Sequence, residues 1–133
     1  MIKTSTDIEV RYAETDQMGY VHHSQYAIYL EKARMDLLQS IGIRCEALED
    51  EGVILPVVSM EQRFSTPLRF GDILTVECRV SPPWFPKLEF SYRIFNGEGV
   101  LVSRAKTTLV FANRETGKLI PVPGPWLENF EMN

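Results

Sequence analysis

One segment of the sequence, residues 24–42, has the periodicity of a long amphipathic helix, and this segment constrains the fold more than any other. Seven apolar residues recur at helical spacing and form one broad face: Tyr26, Tyr29, Leu30, Ala33, Leu37, Leu38 and Ile41. Ser24 is suited to cap the start of the helix, because its hydroxyl can accept a hydrogen bond from a first-turn N–H. Gly42 is typical of the residue at which a helix stops. The pattern predicts a helix of about 17 residues, the only long one in the chain.

The remaining regular segments alternate apolar and polar residues, as half-buried strands do. They predict strands over residues 7–12, 53–65 with a bend near Pro56, 73–80, 88–95 and 100–113. Turns at 96–99 and 114–118 separate the later strands, and Pro121, Pro123 and Pro125 are expected to end regular structure. These connections are too short for parallel crossovers. We therefore expect an α+β fold in which an antiparallel sheet of about five strands wraps around one helix.

Composition narrows the class of protein. A chain of 133 residues with 44% hydrophobic residues suits a single domain, residues 1–133, with a real core. Neither long apolar window reaches the roughly 20 uninterrupted residues of a membrane span, and the N-terminus lacks the apolar stretch of a signal peptide. Two cysteines make no disulfide framework, so we expect a cytoplasmic protein. A net charge of −4 argues weakly against general nucleic-acid binding.

Potentially reactive side chains cluster in the loop before the helix. Asp16 and both histidines of the chain, His22 and His23, lie there. The N-terminus of a helix presents unpaired N–H groups and the positive end of a dipole, which can polarise a carbonyl group. A carboxylate beside it can act as a general base or a nucleophile. The segment therefore predicts acyl chemistry near Asp16 and His23.

Each of these features has a structural alternative. Asp16 is suited to form a turn, and the two histidines are suited to solvent or, with Glu14 as a third ligand, to a metal ion. Arg34 lies in the apolar arc of the helix and either pairs with Glu31 three residues earlier or belongs to a network beneath the site. The aromatic pair at residues 84–85 forms either the rim of a ligand groove or an oligomer contact.

The segment also resembles a known family. It resembles the 4-hydroxybenzoyl-CoA thioesterase family of hotdog-fold proteins, and is especially similar to its branch of Tol-Pal-associated acyl-CoA thioesterases. The resemblance is carried by Arg11, Tyr12, Glu14, Asp16, Gly19, Val21, His23 and Tyr26, then by Tyr29, Glu31, Ala33 and Arg34. The run at residues 67–72, Pro-Leu-Arg-Phe-Gly-Asp, is also similar. These pieces cover the first half of the chain and are specific to the family more than to a substrate.

The resemblance implies a hotdog fold, hydrolysis of an acyl-CoA thioester and a role for each motif residue. Asp16 matches the catalytic aspartate, as nucleophile or general base. His23 matches the position whose backbone N–H polarises the thioester carbonyl, with possible assistance from its side chain. Gly19 lets the loop turn under the substrate, and Tyr26 lies beside it with packing as its main role. The resemblance further implies a homodimer or homotetramer with active sites between subunits, no metal and no redox cofactor.

The carrier of the acyl group is a separate question. A better-known branch of the family holds the phosphates of coenzyme A with a basic cluster in the third hairpin, where this chain has Lys87 alone. Arg63, Arg69, Arg93 or Arg104 is a possible substitute, since arginine binds phosphate strongly. Acyl carrier protein is the alternative carrier. The residues that we expect to bind the substrate are Gly19, Tyr26, Arg69 and Lys87.

Two other functions fit the same fold. A dehydratase or hydratase acting on acyl thioesters would use a histidine with a carboxylate from a partner's helix, for which His23 and Glu31 are candidates. A non-catalytic dimer that binds an acyl ligand is the third possibility. The acyl cavity between subunits is expected to be shaped by residues such as Leu55, Val57, Met60, Trp84 and Phe85.

Overall fold

A five-stranded antiparallel sheet forms the frame of the computed structural model, which describes residues 2–84 and 86–132. The strands of this sheet are β1 (Ile2–Glu9), β3 (Val57–Phe64), β4 (Ile73–Val80), β5 (Lys87–Phe95) and β6 (Leu101–Val110). Their order across the sheet is β1-β4-β5-β6-β3, and every neighbouring pair is antiparallel. Two short strands, β2 (Val53–Ile54) and β7 (Ala112–Asn113), pair separately.

The long helix, α1 (His23–Ser40), packs against one face of this sheet. Its predicted apolar face is the buried one: Tyr26, Tyr29, Leu30, Ala33, Leu37 and Leu38 are each 3% exposed or less. Alternate residues of β4 and β5, such as Val76 and Phe90, point toward it and are fully buried. The predicted α+β class, with an antiparallel sheet around one long helix, is confirmed.

The helix begins two residues earlier than predicted. His22, not Ser24, is the N-cap: its backbone is extended, and its ring Nδ1 accepts a hydrogen bond from the Ser24 N–H at 3.2 Å. Ser24 lies inside the first turn. At the other end Gly42 has φ +85°, as predicted for the residue that ends a helix, because this left-handed backbone is unfavourable for other residues.

The first strand lies earlier in the chain than the alternation at residues 7–12 indicated. β1 runs from Ile2 to Glu9, and Tyr12 is 77% exposed in a single 3-10 turn, Tyr12–Glu14. The strand ends because the opposite segment turns at residues 69–72: the Asp72 N–H donates to the Arg69 carbonyl at 3.0 Å, and the Val10 carbonyl accepts from Gly71 at 3.2 Å. The predicted strand was therefore wrong in its second half.

Two predicted strands are each divided in the structure. The segment 53–65 breaks at Pro56, close to the expected bend, into β2 and β3. The segment 100–113 breaks at Phe111 into β6 and β7. In both cases the short piece leaves the main sheet and pairs with the other short piece.

Two further helices were missed by the sequence patterns. These are α2 (Cys45–Asp50) and α3 (Gly124–Met132), and α3 contradicts the expectation that Pro121–Pro125 ends regular structure. Pro125 lies in the first turn of α3, where a residue without an N–H costs no hydrogen bond. Asn129 of α3 donates from Nδ2 to the Ile41 carbonyl at 2.8 Å, so α3 closes the C-terminal end of α1.

Among the described residues, no helix combines the length and apolar character needed to cross a membrane.

Candidate active site

The loop between β1 and α1 folds back on itself as a small hairpin. The Asp16 N–H donates to the Tyr20 carbonyl at 2.7 Å, and the Gly19 N–H donates to the Asp16 carbonyl at 3.0 Å. Gly19 has φ +81°, a backbone conformation that side-chain-bearing residues rarely adopt. The loop therefore turns tightly at Gly19, and this turn fixes the position of Asp16.

The two carboxylate oxygens of Asp16 have different surroundings. Oδ1 accepts hydrogen bonds from the backbone N–H of Met18 at 2.9 Å and of Tyr20 at 3.1 Å. Oδ2 makes no hydrogen bond with any residue in the described parts of the chain. The turn-forming alternative is therefore correct for Oδ1, while Oδ2 remains available for chemistry.

The start of α1 lies beside this carboxylate. His23 is the first residue of the helix, and its backbone N–H has no acceptor among residues 2–84 and 86–132. The rings of His22 and His23 lie 4.2 Å apart between centroids and are tilted by 31° to each other, and both residues are exposed. The His22 Nδ1 also lies 2.8 Å from the Ser24 Oγ, which holds the capping ring in place. The His23 N–H is thus a free donor at the positive end of the helix dipole.

Asp16 and His23 open onto one cavity of about 330 Å³. Tyr26 lines the cavity from α1 and is 3% exposed, with its ring edge-on to that of Phe64 at 4.8 Å between centroids. The complete lining is Asp16, Val21, His22, His23, Tyr26, Phe64, Ser65, Thr66 and Pro67. The cavity is therefore formed where the helix start meets the end of β3.

A buried carboxylate holds the loop against the helix. Glu14 is 5% exposed; its Oε1 accepts from the Tyr29 hydroxyl at 2.8 Å and from the Arg11 N–H at 2.9 Å. Its Oε2 accepts from Arg11 Nε at 2.9 Å. Burial alone raises the pKa of Glu14, but the hydrogen bonds from Arg11 and Tyr29 outweigh it and lower the pKa below its usual value of 4.5. Burial, and then the hydrogen bond to Glu14, raise the pKa of Tyr29.

The hydrogen bonds of Glu14 also bear on the alternative in which this loop holds a metal ion. Glu14 is not available as a third ligand beside His22 and His23, because both of its oxygens already accept hydrogen bonds. Within the described residues, no group of three His, Cys, Asp or Glu side chains is arranged to hold a metal ion.

Three of the four residues predicted to bind substrate do not line this cavity in the single chain. Arg69 lies over the ring of Tyr20, with its Cζ 5.2 Å from the ring centroid, beside a separate cleft. That cleft shares only Thr66 and Pro67 with the Asp16 cavity. Lys87 lies over the ring of Trp84 at 5.4 Å in the hairpin between β4 and β5. Gly19 shapes the loop without lining the cavity.

The residues expected to shape an acyl cavity between subunits are also apart from the Asp16 cavity of one chain. Val57, Met60 and Trp84 are 43%, 49% and 55% exposed, and Leu55 packs against the core. Phe85 lies outside the described residues. The structure of one chain therefore does not bring these side chains to Asp16.

The pair of Arg34 and Glu31 is local. Arg34 Nη2 lies 3.9 Å from Glu31 Oε2, and the Arg34 side chain is 12% exposed, whereas that of Glu31 is 67% exposed. Glu31 follows His23 by eight positions on one helix, about 12 Å along its axis at 1.5 Å per residue. Within one chain, His23 and Glu31 therefore cannot form the acid–base pair of a dehydratase.

Sequence reasoning missed one wall of the cavity and the support beneath the loop. Phe64, Ser65 and Thr66 come from the end of an exposed strand whose residues show no pattern that points to a site. The bond between Glu14 and Tyr29 joins residues 15 positions apart. Both residues lie in the motif, but their spacing in sequence does not show that they meet.

Comparisons with known proteins agree with this geometry. Residues 10–130 match the family model described as the thioesterase-like superfamily. The chain is 34% identical over 114 residues to a putative acyl-CoA thioesterase, YneP, of Bacillus subtilis, covering 86% of this chain and 83% of that protein. It is 30% identical over 103 residues to the acyl-CoA thioester hydrolase YbgC of Escherichia coli, covering 77% of each. A DHNA-CoA thioesterase from Staphylococcus aureus superposes with a TM-score of 0.95 at 30% identity, covering 99% of this chain and 91% of that one.

Proposed function

This chain belongs to the thioesterase-like superfamily, and we propose that it is an acyl-CoA thioesterase in which Asp16 is the reacting carboxylate. The enzyme hydrolyses an acyl thioester to a free acid and a thiol. The observation that carries the assignment of Asp16 is its position: the unbonded Oδ2 and the unbonded His23 N–H belong to residues that line the same cavity.

The proposed mechanism follows from these two groups. The thioester carbonyl oxygen accepts a hydrogen bond from the His23 N–H, and the N-terminal end of α1 stabilises the negative charge that develops on that oxygen. Asp16 either removes a proton from the attacking water or attacks the carbonyl carbon itself. In both cases the carbon–sulfur bond breaks and the thiolate takes up a proton. When Asp16 itself attacks, the acyl group is left on Asp16 as a mixed anhydride, and a water molecule then hydrolyses this anhydride to release the free acid and restore the carboxylate. The structure supports either role for Asp16, because Oδ1 is held by the loop while Oδ2 is not.

We propose that the working enzyme is a homodimer or homotetramer. Strand β3 is an edge strand, and Val58, Met60 and Phe64 on it are 57%, 49% and 53% exposed. An apolar edge strand left open to water favours association with another chain. Phe64 also lines the Asp16 cavity, so an association along β3 would place a second subunit beside the site.

The proposal also covers the branch of the family, the number of domains, the location in the cell and the carrier of the acyl group. The motif around Asp16 supports the 4-hydroxybenzoyl-CoA thioesterase family and its Tol-Pal-associated branch. The five-stranded sheet and the core packed against it support one domain over the chain. The two free cysteines, Cys45 and Cys78, support a reducing cytoplasm. Acyl carrier protein remains the second candidate carrier beside coenzyme A.

A thiol-release assay tests the proposal. Short, long and aromatic acyl-CoAs are compared, with DHNA-CoA included because the structural relative is named for it. Asp16→Asn keeps the shape of the side chain and removes its charge, so we expect kcat to fall by about 10²- to 10⁴-fold. Asp50→Asn is the matched control, because Asp50 is an exposed carboxylate at the end of α2.

Three results would contradict the proposal. An Asp16→Asn variant as active as the parent would exclude the assigned role of Asp16. An enoyl thioester formed without free thiol would indicate a dehydratase. Tight binding of acyl-CoA with no thiol release from any substrate would indicate a binding protein.

A further inference from the structure

Three arginines form a continuous row across the sheet face that points away from α1. Arg63 of β3 is directly opposite Arg104 of β6, and Arg104 is directly opposite Arg93 of β5. Residues directly opposite one another in an antiparallel pair have Cβ atoms only about 5 Å apart, and like charges at such positions are destabilising. A row of this kind therefore has an energetic cost that folding alone does not explain.

Two more cations extend the row into a patch. Lys106 of β6 and Arg79 of β4 lie on either side of Ser91, which is opposite both of them. We call the five residues Arg63, Arg79, Arg93, Arg104 and Lys106 the basic face. The net charge of the whole chain is −4, so this concentration of positive charge is local.

The carboxylates near the basic face do not neutralise it. Glu77 Oε1 accepts from Arg93 Nη2 at 2.6 Å and from Arg79 Nη2 at 3.1 Å, which holds both guanidinium groups in place. Glu61 is opposite Lys106 in the register but makes no ion pair with it within 4.0 Å. One carboxylate therefore organises two of the five cations, while Arg63, Arg104 and Lys106 make no ion pair within 4.0 Å in the described part of the chain.

Several donors on the basic face have no partner. The side chains of Arg63, Arg104 and Lys106 make no hydrogen bond or ion pair with any residue in the described ranges, 2–84 and 86–132. The Nε of Arg79 is buried and makes no hydrogen bond. Two adjoining clefts of about 410 and 280 Å³ share Arg104, Ala105 and Lys106. Unsatisfied guanidinium donors in concave clefts are suited to phosphate groups, which arginine binds through two parallel hydrogen bonds.

We propose that the basic face binds the phosphate groups of the nucleotide part of coenzyme A, and this inference rests on the proposed acyl-CoA thioesterase activity. Arg63 immediately precedes Phe64, and successive residues of a strand point to opposite faces of the sheet. The acyl end of the substrate lies against Phe64 in the Asp16 cavity. The pantetheine arm then passes the end of β3 at Ser65 and reaches Arg63 on the other face.

Other occupants fit the basic face less well. A two-fold contact between identical faces would bring cations against cations at the centre of the row. The hairpin lysine that would hold coenzyme A in the better-known branch, Lys87, lies over Trp84 instead. An acyl carrier with several phosphate groups, such as coenzyme A, supplies the negative charge that would balance the cations lining the two clefts.

The test compares an acyl-CoA with the matching acyl-pantetheine, which has the same thioester and no phosphate. In the double variant Arg63→Gln/Arg104→Gln, we expect the ratio of kcat/KM for acyl-CoA to that for acyl-pantetheine to fall at least tenfold, through KM for acyl-CoA. Added salt is expected to raise the KM of the parent enzyme for acyl-CoA more than that of the variant. Arg44→Gln is the matched control, because the Arg44 side chain is 70% exposed and lies outside the basic face.

A second measurement separates this inference from the proposed function. Adenosine 3′,5′-bisphosphate, titrated by calorimetry, is expected to bind the parent protein and to bind the double variant at least tenfold more weakly. This result would support the basic face even if no thiol were released from either substrate, an outcome that would overturn only the proposed function.

Three outcomes would overturn the inference. The first is an unchanged substrate ratio with unchanged binding of the bisphosphate. The second is a loss of kcat/KM in the double variant that appears only when acyl carrier protein carries the acyl group. The third is a change in the molecular mass of the double variant, measured by light scattering, while its ratio of kcat/KM values for the two substrates is unchanged. That result would make the basic face a contact between copies of the chain.

Discussion

The Tyr29 hydroxyl donates a hydrogen bond of 2.8 Å to Glu14, and this bond joins the second turn of α1 to the loop that carries Asp16. Glu14 is buried, and its backbone carbonyl also accepts from the N–H of the helix cap His22 at 3.0 Å. Both ends of the loop are therefore attached to the start of the helix. This attachment gives the Asp16 carboxylate a defined position relative to the His23 N–H.

The first prediction concerns this bond. Tyr29→Phe removes the hydroxyl and leaves a buried carboxylate with one donor fewer, so we expect the free energy of unfolding to fall by about 1–3 kcal/mol. Urea denaturation measures the change. Tyr12→Phe is the control, since Tyr12 is 77% exposed and its hydroxyl has no partner among the described residues. Equal stabilities of the two variants would contradict a structural role for the bond.

The second prediction is a dependence of stability on pH. The pKa of Glu14 is lowered in the folded protein, so the ionised group stabilises the fold at pH values above its usual pKa of 4.5. That contribution is lost as the pH falls through the lowered pKa. We expect the parent to lose its stability advantage over Glu14→Gln as the pH falls below 4.5 and through the lowered pKa of Glu14.

Chemical denaturation across this pH range measures the advantage. Glu98→Gln serves as the control, because Glu98 is exposed in the turn between β5 and β6. An advantage that stayed constant, or grew toward low pH, would show that the pKa of Glu14 is not lowered by folding.

The third prediction concerns the turn below Asp16. Gly19 has φ +81°, and a residue with a Cβ pays roughly 1–2 kcal/mol to adopt such a conformation. We expect Gly19→Ala to lower stability by about this amount and to lower kcat, because the turn positions Asp16. Gly19→Asn should be milder, since asparagine tolerates the left-handed region.

Steric crowding does not account for the expected loss, because a Cβ on Gly19 would have nothing within 4 Å. Gly124→Ala is the control at a glycine whose φ is not positive. If Gly19→Ala turned over acyl-CoA at the parent rate, the turn would have no part in placing Asp16.

The fourth prediction concerns the two thiols. Cys78 is fully buried, and burial raises the pKa of its thiol to about 12, whereas Cys45 is only partly buried. The thiolate is the reactive form, so we expect DTNB to label at most Cys45 in the folded protein and both cysteines in urea. A Cys45→Ser variant should then give no label when folded. Rapid labelling of that folded variant would show that Cys78 is accessible.

The sequence predicted the elements that depend on local pattern. The helical period of residues 26–41 and the alternation in β4 and β5 gave the long helix and the centre of the sheet, because a half-buried element repeats its apolar residues at its own geometric period. It failed where a long-range contact decides the outcome. β1 ends at Glu9 because the segment opposite it turns at residues 69–72, where the Asp72 N–H donates to the Arg69 carbonyl, and α3 forms against the end of α1.

The candidate site divides in the same way. The motif from Arg11 to Tyr26 predicts Asp16, Gly19 and His23 as site residues, because the proposed chemistry and the turn need those residue types within one short segment. Only the tertiary structure placed Phe64 and Ser65 across the cavity from that segment, and only it aligned Arg63, Arg104 and Arg93 in one row. The physical reason is that local periodicity selects the elements, whereas strand register and packing between distant segments decide which side chains share a space.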